Sequence, residues 1–72
     1  MAHEAHKQAA EQHDKASKLH KGAAEHHEQG RHEDGQRQAQ QAQEQSRTAH
    51  QSSEAAHQKS QQTNKERVNQ KP

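Results

Sequence analysis

Apart from Met1, Leu19 and Val68, every apolar side chain in this 72-residue sequence is an alanine. Burying one methylene stabilises by roughly 0.8 kcal/mol, and alanine offers a single methyl. Ordering a residue costs about 1–2 kcal/mol of backbone entropy. With 21% apolar content and no aromatic residue, a monomer cannot build a conventional globular core. Order must come from something beyond a monomeric core, such as self-association or a bound ion, and otherwise the chain stays disordered.

The alanines fall in register. Ala2, Ala9, Ala16 and Ala23 form one column at seven-residue intervals, and His6, His13, His20 and His27 form a second. On a helix with 3.6 residues per turn the two columns lie about 40° apart. His3, Ala10, Ser17 and Ala24 form the next column, and Ala5, Gln12, Leu19 and His26 the other flank. The outward columns carry Lys7, Asp14, Lys21, Glu28 and Glu4, Glu11, Lys18, Glu25. This is an amphipathic helix whose inner face is alanine and histidine. The second half repeats the design with Ala42, Ala49 and Ala56 beside Ala39, Ser46, Ser53 and Ser60.

Between the halves, "QGRHEDG" at residues 29–35 holds Gly30, Asp34 and Gly35, a turn composition. Ala, Gln, Glu and Lys dominate on both sides, and all are strong helix formers. The expected fold is all-α: an antiparallel helical hairpin with helices over about 2–29 and 33–63. The polar stretch "TNKERVNQKP" should leave residues 64–72 a disordered tail. Matched stripes of small residues let two helices approach closely, in the style of an Alacoil. A period near 3.5 is what a coiled-coil seam requires. Pairing of two hairpins into an antiparallel four-helix bundle, and so a homodimer, is the expected assembly.

Leu19, Gly22, Ala23 and His26, then Gly30, then Gly35, Ala39 and Ala42, follow the spacing of one tetratricopeptide-type repeat. Over residues 19–42 the chain resembles that family, with Leu, His and Ala where its large residues stand and Arg47 at its closing proline. The resemblance implies a short-turn helical hairpin. It implies no peptide groove, because the aromatic residues that shape one are missing.

Nine histidines and no cysteine direct any ligand chemistry to imidazole and carboxylate donors. That set suits Zn, Ni, Co or Cu(II). Residues seven apart on a helix are separated by about 10.5 Å, whereas zinc–nitrogen bonds are about 2.0–2.1 Å. One column therefore cannot ligate one ion, and each level needs donors from the other helix or another chain. Folding about Gly30–Gly35 brings His6 near residue 59, within a turn of His57. The same fold brings His13 near residue 52, within a turn of His50. His50, Glu54 and His57, at i, i+4 and i+7, share a face; His3 with His6 and Glu28 with His32 are further pairs. The expected ligands are His6, His13, His20, His27, His50, Glu54 and His57.

No HExxH motif, phosphate-binding glycine loop or apolar pocket for tuning a carboxylate is present, so the expectation is a non-enzyme. Eleven basic residues are interspersed with ten acidic ones, and nothing could stack on a base, which argues against nucleic acid. No segment is apolar enough for a bilayer. The opening "MAHEAHKQAAEQH" lacks the apolar run of a secretory signal, so a cytoplasmic protein is expected. The leading reading is a protein that binds or buffers a divalent metal. Its rivals are a ligand-free hydrophilic stress-protective or adaptor protein, and a bundle that opens in acid. Full protonation of the histidines would carry the formal charge from +1 toward +10.

Overall fold

A computed structural model describes residues 1–69, with side chains through Asn64. It contains two helices, α1 (Ala2–Glu28) and α2 (His32–Asn69), packed antiparallel as a hairpin. There is no strand among the described residues. The molecule is a rod of 64 × 13 × 12 Å. The helix α2 continues to Asn69, past the end expected at residue 63, while residues 70–72 of the expected tail lie outside the described residues. No described helix is long and apolar enough to cross a membrane.

The turn has a specific chemistry. Gly30 takes φ 80°, the left-handed conformation that costs glycine nothing. Its N–H donates to the His27 carbonyl at 3.0 Å, and the Arg31 N–H donates to the His26 carbonyl at 2.8 Å. These two bonds define a Schellman motif, which satisfies the last carbonyls of α1. Three residues later α2 is under way: the Arg31 carbonyl accepts from the Gly35 N–H at 2.9 Å. Glu33 and Asp34 in its first turn complement the positive end of the helix dipole.

The core is a single file of methyl groups. Ala42, Ala49 and Ala56 are 0% exposed, and Ala5, Ala9, Ala16 and Ala23 are also buried. Among the described residues no polar or charged residue is buried outright and no larger side chain is fully enclosed. Alanine at these positions lets the helix backbones themselves come close, so dispersion between backbones replaces the bulky core the composition denies. Leu19 is only half-buried, on one flank with Gln12, His26, Gln38 and Gln45. There the Gln45 side-chain amide donates to the Gln12 side-chain oxygen and, at 3.4 Å, to its backbone carbonyl. The other flank carries the histidines.

Candidate functional site

Three of the four histidines of the α1 column reach across the seam to serine. His6 Nε2 lies 2.6 Å from Ser60 Oγ, His13 Nε2 2.7 Å from Ser53 Oγ, and His20 Nε2 3.2 Å from Ser46 Oγ. Each step of seven residues along α1 is matched by seven residues back along α2. The two columns therefore run as one ladder beside the alanine seam. The serines are half-buried and the imidazoles exposed.

This register differs by one residue from the pairing expected for His6 and His13. His6 meets Ser60 instead of approaching His57, and His13 meets Ser53 instead of approaching His50. The physical reason is the reach of the imidazole. Its Nε2 extends to the small column directly across the seam, where a hydroxyl stands ready, while His50 and His57 lie outside that column. His50 Nε2 instead pairs with Glu54 Oε1 at 2.7 Å along the solvent face of α2. His57 is exposed and joins neither. Glu28 and His32 belong to different helices, so their spacing of four does not place them on one helix face.

His27 departs from the ladder. Its Nδ1 lies 2.9 Å from His32 Nδ1, with ring centroids 5.1 Å apart and planes tilted by 37°. One ring must donate the shared proton and the other accept it. Beneath the His27 ring is Gly35, which is buried. A Cβ there would stand 2.7 Å from His27 Cδ2 and Nε2, so only glycine admits the ring in this place.

Among the described residues, no group of three or more His, Asp or Glu side chains converges. One hairpin thus presents donors singly or in pairs. Surface depressions such as the one lined by Glu33, Gln36, Arg37 and Gln40 lie open to water and would desolvate nothing held there. Sequence reasoning missed Ser46, Ser53 and Ser60 as partners of the histidines, and His32 as the partner of His27. The two columns share a seven-residue period, but the stagger between the helices decides which of their members meet. On the sequence the serines read as small residues that pack and hydrogen-bond, and His32 as a pair with Glu28.

Comparison with known proteins adds no relative: no family model, curated protein or solved structure matches the chain.

Proposed function

We propose that this chain is a non-enzymatic, histidine-rich hairpin that binds or buffers a divalent transition metal such as Zn, Ni, Co or Cu(II). The observation that carries the reading is the ladder of His Nε2 to Ser Oγ bonds. A histidine that ligates a metal commonly donates its other ring N–H to an oxygen, which fixes the tautomer and the ring orientation. When Nε2 of His6, His13 or His20 donates to its serine, Nδ1 keeps its lone pair on an exposed ring. Glu54 does the same for His50, which makes its role one of orienting a ligand more than of being one.

Rungs about 10.5 Å apart offer one imidazole per level. An ion on the ladder therefore completes its shell with water or with histidines of a second copy, so metal and self-association are coupled. Addition of Zn²⁺ or Ni²⁺ at stoichiometric amounts should raise the melting temperature and the sedimentation coefficient, and a chelator should reverse both. An unchanged melt and an unchanged sedimentation profile would overturn the proposal.

A second reading, a ligand-free structural or adaptor hairpin, has its own support in a seam that is already complete without an ion: alanines buried and three histidines hydrogen-bonded. Under that reading the melt is indifferent to metal and chelator.

A further inference from the structure

The ladder fails at its fourth rung, and the failure builds something. Seven residues beyond His20 stands His27, and seven back from Ser46 stands Ala39, whose methyl offers an imidazole no hydrogen bond. The α2 column continues one heptad further to His32. His27 bonds there instead, Nδ1 to Nδ1 at 2.9 Å, over the notch that Gly35 leaves open. Of the histidines in the column, His27 is the one whose bonding partner is itself a metal donor.

We propose that His27 and His32 form a chelating site for a Cu(II)-class ion at the closed end of the hairpin, each giving Nδ1. This rests on the metal-binding reading above and names a site assembled within one chain. With metal–nitrogen bonds of about 2.0–2.1 Å, two nitrogens at a right angle stand about 2.9 Å apart, and at the tetrahedral angle about 3.3 Å. The observed 2.9 Å brings the two nitrogens as near as the right-angle geometry favoured by Cu(II) and Ni(II) asks, with the rings still to turn toward the ion. In the free protein the nitrogens point almost directly at one another across a shared proton, as the 5.1 Å centroid separation requires. The ion takes the place of that proton, which passes through water to Nε2 of the donating ring, and both rings pivot until their Nδ1 lone pairs converge on the ion.

The surroundings favour a cation. Glu28, Glu33 and Asp34 flank the pair, with Asp34 held by Arg37 at 3.4 Å, against Arg31 as the one basic residue in the turn. The C-terminal end of α1 adds the partial negative charge of its dipole. Water fills the remaining positions on the ion.

The test is titration of the full chain with substoichiometric Cu²⁺, read by electron paramagnetic resonance and calorimetry. It is done in a His3→Ala background so that His3 and the amino-terminal nitrogens do not compete for copper. The first equivalent should show imidazole nitrogen coordination, and His32→Ala should weaken it by about tenfold or more, because the second donor then no longer acts intramolecularly. Ala39→Ser is the sharper variant. It restores the missing rung, draws His27 Nε2 back to the ladder, and should weaken the first copper while both ligands remain and the fold gains a bond. His50→Ala should leave that copper unchanged. First-equivalent binding that is intact in both His32→Ala and Ala39→Ser would overturn the turn site. If it were lost instead in His13→Ala or His50→Ala, the turn site would fall while metal binding stood. No copper, zinc or nickel binding by the parent chain would overturn both.

Discussion

His13 Nε2 lies 2.7 Å from Ser53 Oγ, 40 residues away in sequence, a bond between helices that the chain joins only through the turn, and it recurs one heptad to either side. The recurrence ties the register of the whole hairpin to a polar ladder on one flank, while alanine on the seam leaves little else to resist sliding. A serine hydroxyl both donates and accepts. The rung therefore holds with either neutral tautomer and with the protonated imidazole.

Removal of the hydroxyls tests that role. A neutral hydrogen bond contributes about 0.5–1.5 kcal/mol net, and these rings are exposed, so the low end applies. Ser53→Ala should cost about 0.5 kcal/mol, which in a chain of this size lowers the melting temperature by about 2–4 °C. Ser46→Ala, Ser53→Ala and Ser60→Ala together should lower it further, with little loss of helicity at low temperature. Thermal melts followed by circular dichroism check this. A triple variant that melts with the parent would deny the ladder any part in stability.

The alanine seam should resist enlargement, as a close-packed core does. Ala49 is 0% exposed, and leucine there would force the helices apart, at a cost of typically 1–3 kcal/mol for overpacking. Leucine at Ala55, on the exposed face, should be close to neutral. Chemical denaturation of Ala49→Leu and Ala55→Leu side by side gives the comparison, and equal stability would refute close packing at the seam.

The hairpin itself was legible because two kinds of signal agreed. Alanine recurred at seven-residue intervals in both halves, and glycines with Asp34 interrupted the helix formers between them. The partners of His6 and His13 were not legible. Whether Nε2 meets residue 57 or residue 60 depends on a difference of three residues along α2, about 4.5 Å of rise, and on how far an imidazole reaches across the seam. Neither quantity is written in composition or period. The His27–His32 contact depended on still finer detail: the serine absent at Ala39 and the side chain absent at Gly35. The end of α2 was hidden for another reason. "TNKERVN" carries Thr63, Asn64 and Val68, poorer helix formers than the residues before them, yet the helix runs through them to Asn69.

Two glycines should answer to alanine with opposite signs. Gly22 lies inside α1, and a Cβ there would meet first the far end of the Gln38 side chain. That end is free to swing, and its Oε1 is buried without a partner, so release into water removes an existing penalty. Gly22→Ala should therefore stabilise, toward the roughly 0.8–1.0 kcal/mol by which alanine exceeds glycine within a helix. Gly30 holds φ 80°, where an L side chain costs about 1–2 kcal/mol. Gly30→Ala should destabilise by about that amount although its Cβ would meet nothing within 4 Å. Urea titration of both variants is decisive: destabilisation at Gly22 or neutrality at Gly30 would contradict the geometry.

Acid should separate the metal from the fold. Histidine binds an ion through an unprotonated nitrogen, so metal affinity falls as protons compete for the same lone pair. The seam has no such requirement, since serine accepts from a protonated ring as readily as from a neutral one. The thermal stabilisation produced by Zn²⁺ at pH 7 should accordingly vanish by about pH 5, as protons displace the ion from the imidazole lone pairs. The metal-free hairpin should keep its helical spectrum over the same interval. Metal shifts measured across pH 7 to 5, with matched chelator controls, test both halves. A Zn²⁺ effect that persists at pH 5 would assign the ion to carboxylates. Loss of helix without metal would mean instead that the histidine seam opens in acid, the behaviour a serine-bonded ladder is built to resist.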